Sequence, residues 1–122
     1  MQEETIRLRR VGLSICILMA MMSLGINHAM ADSVIDMCKK KADVCACAAK
    51  QLKADIGDEK YMLYEAIGMK YIANKKNGMG MGDAWDAAVR DEAGKRGKSF
   101  VETLNQTNEI GKTHRKAMKG CS

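Results

Sequence analysis

The four cysteines that follow position 31 constrain the fold of this chain more than any other feature of its sequence. Three of them lie within the stretch CKKKADVCAC, residues 38–47, and the fourth is the penultimate residue of the chain. An even number of cysteines in a short exported chain indicates a disulfide framework. We therefore predict that Cys38, Cys45, Cys47 and Cys121 form two disulfides.

The first 31 residues have the pattern of a secretory signal peptide. Three arginines within the first ten residues precede an uncharged, mostly apolar run from Val11 to Ile26, and the segment closes on Ala29-Met30-Ala31. This order predicts cleavage after Ala31, with an uncleaved N-terminal anchor as the alternative. We predict a signal peptide over 1–31 and one helical domain over 32–122, exported to the periplasm or secreted. The apolar run is shorter than the ~20 residues that a membrane span needs. No stable span is expected after cleavage, because no later stretch of the sequence is apolar enough to form one.

The charge of the predicted mature domain is mildly positive. The chain has 20 Lys and Arg against 15 Asp and Glu, and three basic and two acidic residues precede Asp32, which leaves a net charge of +4. The lysines are scattered apart from Lys39, Lys40 and Lys41. Such a pattern is typical of a solvated surface. Together with export, it argues against a nucleic-acid partner.

The composition after Ala31 favours helices, because it contains no proline and is rich in Ala, Lys, Met and Glu. Four helices are predicted, over 33–56 with a possible break near Asp43, 59–75, 83 to 94 or 97, and 100–119 after the capping box Ser99-x-x-Glu102. The glycine-rich segment 77–82 is expected to form a flexible loop. Short connections favour antiparallel neighbours, so we predict an all-α, four-helix up-and-down bundle stapled by disulfides.

The second predicted helix carries all three tyrosines of the chain. Tyr61, Tyr64 and Tyr71 share one side with Gly68, which we expect to let a neighbouring helix approach closely. A second apolar stripe is formed by Met62, Ala66, Met69 and Ala73. Because the two stripes together cover a wide arc, this helix is predicted to pack against two neighbours.

The pairing of the cysteines depends on the shape of the first helix. The bundle brings Cys121 near the cysteine cluster, but sequence alone leaves three connectivities open. A continuous helix would hold Cys38 and Cys45 about 10 Å apart, too far for a disulfide. With a break near Asp43, we expect Cys38 to bond to Cys47 and Cys45 to Cys121. If Cys38 pairs with Cys121 instead, Cys45 and Cys47 form a strained ring or stay free.

Free thiols would open a redox function. Cys45 and Cys47 form a C-x-C motif near a predicted helix start, where the thiol pKa is lowered and the thiolate is favoured. The usual redox spacing is C-x-x-C in a βαβ context, which the sequence lacks. We therefore treat a thiol-redox protein as an alternative and structural disulfides as the main interpretation.

A soft-metal function is a second alternative. His114 and Met118 lie on one face of the last predicted helix, and Cys45 is expected across from them, a donor set that suits Cu(I). The opposing interpretation is that His114 is a core residue whose imidazole is hydrogen-bonded to Thr107 or to a tyrosine hydroxyl. On that interpretation the protein has no cofactor.

The interpretation that we favour is a non-catalytic binding or accessory protein of the bacterial cell envelope. It would act as an adaptor or as an immunity-type inhibitor, with an envelope or periplasmic protein as its partner. The sequence contains no nucleophile arrangement, H-E-x-x-H motif or phosphate loop that would support an enzyme. Methionine and aromatic side chains are enriched at interfaces. The predicted partner surface is formed by Met79, Met81, Tyr61, Tyr64 and Tyr71.

Overall fold

The computed structural model describes residues 32–122, so the predicted signal peptide and its cleavage site lie outside the described residues. Within 32–122 the chain is helical and has no β-strand, which confirms the all-α prediction. The helices are α1 Ser33–Met37, α2 Ala42–Ile56, α3 Asp58–Lys76, α4 Met81–Lys95 and α5 Phe100–Cys121. None of these helices is long and apolar enough to cross a membrane.

Helices α2 to α5 form the predicted four-helix bundle. Each packs against the next one along the chain, and α5 packs back against α2. The short helix α1 is an additional element that packs on α2 and α3. The turn from α2 to α3 consists of Gly57 alone, with φ of 84°, a left-handed conformation that glycine adopts without strain.

The predicted first helix is broken, and its two parts are α1 and α2. Asp32 caps α1, since its carboxylate accepts a hydrogen bond of 2.9 Å from the Val34 N–H. The chain leaves α1 at Cys38, passes through Lys39 with φ of 56°, and becomes helical again at Ala42. The break therefore covers 38–41, slightly earlier than expected.

Two further boundaries test the sequence-based prediction. Ser99 caps α5, and its hydroxyl accepts a hydrogen bond of 3.1 Å from the Glu102 N–H, as the capping box predicted. Helix α4 begins at Met81 instead of Asp83, so Met81 and Gly82 belong to the helix and only 77–80 connect α3 to α4. The alternating glycines therefore do not prevent the first turn of α4.

The core consists of two clusters that Trp85 joins by packing against both. The first cluster contains Val34, Ala49, Leu52, Tyr61, Tyr64 and Ile110. The second contains Leu63, Ile67, Ala88 and Val89. Burial of these side chains is the main stabilising contribution in such a domain.

Helix α3 packs against more neighbours than the two predicted, since α1, α2, α4 and α5 all contact it, but its second apolar stripe faces solvent. Met62 is 63% exposed and Met69 is 52% exposed. Leu63 and Ile67, which belong to neither stripe, are buried instead. Helix α4 packs on Leu63 and Ile67 through Ala88 and Val89. Although α1, α2, α4 and α5 all contact α3, Met62 and Met69 are not covered by any described helix.

Gly68 allows α1 to approach α3 closely, as the sequence predicted. A Cβ atom at this position would lie 2.5 Å from Met37 Cε and 3.0 Å from Ser33 Oγ. The Ser33 hydroxyl also donates a hydrogen bond of 2.6 Å to the Glu65 carbonyl, which fixes α1 over the same part of α3. A side chain at position 68 therefore cannot be added without moving α1 or Met37.

Two disulfides form among the four cysteines, but the predicted pairing is wrong. Cys38 bonds to Cys45, and Cys47 bonds to Cys121. The turn at 38–41 brings Cys38 back against the first turn of α2, so that the Cα atoms of Cys38 and Cys45 lie 5.5 Å apart and both residues are buried. Cys45 faces the core, whereas Cys47 lies on the exposed side of α2 and meets Cys121 with a Cα separation of 6.0 Å.

Candidate functional site

An open groove of about 580 Å³ is lined by residues of α1, α3, α4 and α5, and we call it the methionine groove. Its apolar lining consists of three thioethers and three aromatic rings, from Met37, Met81, Met118, Tyr64, Tyr71 and Trp85. A volume of this size lies within the range of ligand-binding clefts. Methionine side chains are flexible and polarisable, so this lining can adapt to the shape of a bound group.

The aromatic wall of the methionine groove is ordered by edge-to-face packing. The Trp85 ring centroid lies 6.1 Å from that of Tyr64 and 5.5 Å from that of Tyr71, with interplanar angles of 62° and 75°. This geometry is favourable for aromatic pairs and restricts the rotation of the indole. The groove therefore combines one ordered wall with adaptable thioethers.

His114 is a buried titratable residue of the methionine groove, in contact with Tyr64. It is 2% exposed, and its Nδ1 lies 3.1 Å from the Tyr64 hydroxyl oxygen. This contact confirms the interpretation of His114 as a core residue hydrogen-bonded to a tyrosine. Its other ring nitrogen, Nε2, is buried and has no hydrogen-bond partner among residues 32–122.

The contact with Tyr64 indicates which nitrogen of His114 carries the proton. If the Tyr64 hydroxyl donates to Nδ1, the Nε2–H donor of His114 is the one group of this pair left without a partner within residues 32–122. In the other tautomer both Nε2 and the Tyr64 O–H lack partners, since Tyr64 has no second side-chain hydrogen bond within the described part of the chain. Because each unpaired buried polar group is unfavourable, we assign the proton of the neutral ring to Nε2.

The rim of the methionine groove is positively charged. Lys112 and Arg115 are exposed residues of its lining on α5. The Lys112 ammonium pairs with Glu109 at 2.6 Å, whereas no carboxylate within 32–122 forms an ion pair with Arg115. The described lining contains no Asp or Glu. Arg115 is therefore a cation at the mouth of an apolar groove, available to an anionic group.

Burial keeps both groups of the Tyr64–His114 pair neutral near pH 7. Burial lowers the pKa of His114 below its ordinary value of 6.5; the Asp32 carboxylate raises it, and the Arg115 guanidinium lowers it again. Burial raises the pKa of Tyr64 to about 12, against a smaller opposing effect of Arg115. A neutral imidazole carries one ring proton, which is consistent with the assignment of that proton to Nε2.

We expect His114 to titrate below pH 6.5 and the stability of the protein to fall as this proton binds. The pKa is lower in the folded state than in the unfolded chain, so the stabilisation present above pH 6.5 is lost as the pH falls through the folded-state pKa. The free energy of unfolding should change with pH by at most about 1.4 kcal/mol per pH unit. NMR can follow this ring directly, since His114 is the only histidine after His28.

The control for this prediction is His114→Gln. It should remove the dependence of the unfolding free energy on pH in the interval between pH 6.5 and the pH at which carboxylates begin to bind protons. Urea unfolding at a series of pH values measures both proteins under the same conditions. A His114 pKa at or above 6.5 in the NMR titration would contradict the prediction.

The structure brings together part of the predicted partner surface. Met81, Tyr64 and Tyr71 all line the methionine groove. Met79 is 43% exposed but is not part of the lining, and Tyr61 lies outside it, with its hydroxyl donating a hydrogen bond of 2.5 Å to Asp32. The expectation that Tyr61 and Tyr64 are exposed is wrong, because both are 5% exposed and packed in the core.

The predicted copper ligands are only partly brought together. His114 and Met118 line the methionine groove, but Cys45 is bonded to Cys38 and has no thiolate to offer. No three His, Cys, Asp or Glu side chains within 32–122 are grouped so that they could hold a metal ion. The thiol-redox alternative required free thiols at Cys45 and Cys47, and each of them is in a separate disulfide.

Sequence reasoning did not assign Met37, Trp85 or Arg115 to a site. Met37 and Trp85 belong to α1 and α4 and join the α5 residues of the lining only in the folded protein, so no local pattern indicates them. Arg115 follows His114 directly and precedes Met118 by three residues, a helical spacing that signals a shared side. That spacing is the signal that could have identified Arg115.

Comparison with known proteins identifies no relative, so the function of the chain is interpreted from the geometry of the methionine groove. No protein-family model, curated protein or solved structure matches the chain. The methionine groove combines a concave apolar surface with an unpaired polar group and a perturbed pKa. Such a combination is the usual basis for a binding-site hypothesis.

Proposed function

We propose that this chain is an exported, non-catalytic binding or accessory protein of the bacterial cell envelope, and that its methionine groove receives a segment of an envelope or periplasmic protein. The observation that carries the proposal is an open groove walled by thioethers and ordered aromatic rings, with Met81 at its rim 69% exposed. Apolar surface of this kind gains free energy when a partner covers it.

The openness of the groove supports a protein segment over a small molecule as its occupant. Sites for small molecules bury most of the ligand surface. In the methionine groove, Met81, Asn108 and Arg115 are all exposed members of the lining. A segment that continues beyond the groove on both sides would cover these residues, whereas a small molecule would leave them in water.

The two disulfides and the predicted signal peptide support an oxidising compartment, the periplasm or the cell exterior, as the site of action. An adaptor of a larger envelope assembly and an immunity-type inhibitor both need a stable surface there. The two roles differ in the partner, an assembly component or a toxin enzyme, and identification of the partner distinguishes them.

A photocrosslinking amino acid at position 81, introduced into the full chain in producing cells, tests the proposal. Position 62 is the matched control, because Met62 is 63% exposed and lies outside the methionine groove. We expect a discrete crosslinked envelope protein from position 81 and none from position 62. That partner, once purified, should bind Met81→Ser more weakly than Met62→Ser. Equal crosslinking from both positions would count against the groove.

Copper(I) binding is a second candidate, favoured by one observation: His114 and three thioethers line the same groove. Two features oppose it, the proton assigned to Nε2 and the cations at the rim. Titration of the disulfide-bonded protein with Cu(I) decides the matter. Saturable, stoichiometric uptake that Met118→Leu abolishes and Met62→Leu retains would support copper; absence of such uptake would exclude it.

A further inference from the structure

We infer that the partner segment places an aspartate or glutamate beside an apolar side chain, and that its carboxylate accepts a hydrogen bond from His114 Nε2 next to Arg115. This inference rests on the proposed function, because it specifies the chemistry of the segment that the methionine groove receives. It also assigns His114 and Arg115 as the residues that select the partner.

The first argument is the unpaired donor of His114. Its Nε2 is buried without a partner within residues 32–122, while Nδ1 is engaged by Tyr64. A buried N–H without an acceptor is unfavourable, and a ligand that supplies the acceptor removes this penalty. An ionised carboxylate has only acceptor sites, so it matches a donor better than a group that also presents N–H atoms.

The second argument is charge complementarity. Arg115 is exposed at the rim and forms no ion pair with the carboxylates of residues 32–122, and the described lining has no acidic side chain to compete for it. A guanidinium and a carboxylate form short, charge-assisted hydrogen bonds. The adjacent Lys112 adds positive potential, although Glu109 already pairs with it. The rim therefore favours an anionic group.

The third argument concerns access to the imidazole. The Nε2 atom has less than 1 Å² of accessible surface, so an acceptor reaches it only when the groove widens. Met37 and Met118 are flexible parts of the lining that can move aside. Gly111, one turn before His114, adds no side chain to this region. An apolar side chain of the partner then packs against the methionine thioethers of the groove, and the carboxylate next to it accepts the hydrogen bond from His114.

Selection from a library of random 12-residue peptides displayed on phage provides the first test. The targets are the disulfide-bonded protein recovered from the envelope and its Gly111→Leu variant, whose new side chain would fill part of the groove. Circular dichroism and intact mass establish that the variant is folded and has both disulfides. We expect the wild-type protein to enrich peptides in which Asp or Glu lies near Leu, Met, Phe or Trp, and Gly111→Leu not to enrich them.

The outcomes of this selection separate the inference from the proposed function. Enrichment of apolar peptides without an acidic residue, lost in Gly111→Leu, would overturn the inference and leave the groove as a binding site. Enrichment that is the same for both targets, or none at all, would overturn the inference and count against the proposed function as well.

A matched pair of peptides tests the roles of the two residues without depending on Gly111→Leu. One selected peptide is compared with its Glu→Gln counterpart, or Asp→Asn, by calorimetric titration. We expect the acidic peptide to bind at least roughly tenfold more tightly, the effect of one charge-assisted hydrogen bond. Arg115→Gln should remove most of this preference. Lys116→Gln, an equal change of charge at an exposed residue outside the groove, should retain it.

The imidazole itself provides a readout that general electrostatics would not give. The Nε2–H resonance of His114 should shift on addition of the acidic peptide and shift much less with its amide counterpart. An acidic preference that Lys116→Gln reduces as much as Arg115→Gln, with an unchanged His114 resonance, would overturn the assigned contact.

Discussion

Replacing both Cys47 and Cys121 with alanine is expected to lower the free energy of unfolding by about 4 kcal/mol. The reason is the length of the loop that this disulfide closes, since the two cysteines are 74 positions apart. A long loop restricts the unfolded chain more than a short one. The Cys38–Cys45 bond has a sequence separation of 7, and its entropic contribution is about 2.5 kcal/mol in the same model.

At the positions of Cys47 and Cys121, the effect of losing the disulfide can be measured with little contribution from lost packing. Cys47 is exposed and Cys121 is half-buried, so alanine removes little packing at either position. The bond ties the end of α5 to α2, two helices that are neighbours in the bundle. Because small domains have a total stability of roughly 5–15 kcal/mol, the variant is expected to be marginally folded.

Urea unfolding followed by circular dichroism measures this effect, and intact mass establishes that the Cys38–Cys45 bond is still present. As a control, the wild-type protein is unfolded with and without a reductant. A loss below about 1 kcal/mol for the double variant would contradict the expected role of the long loop.

The second prediction compares alanine at two helical glycines. Gly68→Ala is expected to destabilise the protein by about 1 kcal/mol or more, since overpacking typically costs about 1–3 kcal/mol. Gly111→Ala is expected to stabilise it by up to about 1 kcal/mol, the difference in helix propensity between the two residues. At position 111 the nearest atom to a new Cβ is the Tyr64 hydroxyl at 3.9 Å, which is an ordinary contact.

The difference in sign depends on how firmly α1 is held over Gly68. Met37 is followed directly by Cys38, which is bonded to Cys45 in α2. At the other end of α1, Asp32 accepts hydrogen bonds from Tyr61 and from the Val34 N–H. With both ends fixed, α1 cannot simply move away from a methyl group at position 68, and the strain falls on the Met37 side chain.

Equilibrium unfolding of the two alanine variants and the wild-type protein provides the measurement. Because Met37 also lines the methionine groove, Gly68→Ala should weaken the binding of a selected peptide. If Gly68→Ala instead raised the free energy of unfolding, α1 would be only loosely attached and the prediction would be wrong. The two glycines lie in the interiors of α3 and α5, so the propensity gain is the same for both and the comparison isolates the contact with α1.

The sequence predicted those features of this protein that depend on neighbouring residues. The helical class, the Ser99 cap of α5 and the break in the cysteine-rich segment follow from composition, capping and covalent geometry, which act within a few positions of the chain. The close approach at Gly68 and the hydrogen bond of His114 to a tyrosine were also predicted, because a missing side chain and a buried imidazole each demand a particular kind of neighbour.

Only the tertiary structure decided which distant residues meet. The turn at 38–41 sets the direction of Cys38 and hence both disulfides, and a shift of two positions along α2 separates the buried Cys45 from the exposed Cys47. The methionine groove likewise joins residues of four helices. Helical periodicity gives the side of a helix on which a residue lies, but the partner of that side is set by packing between helices, which no local pattern encodes.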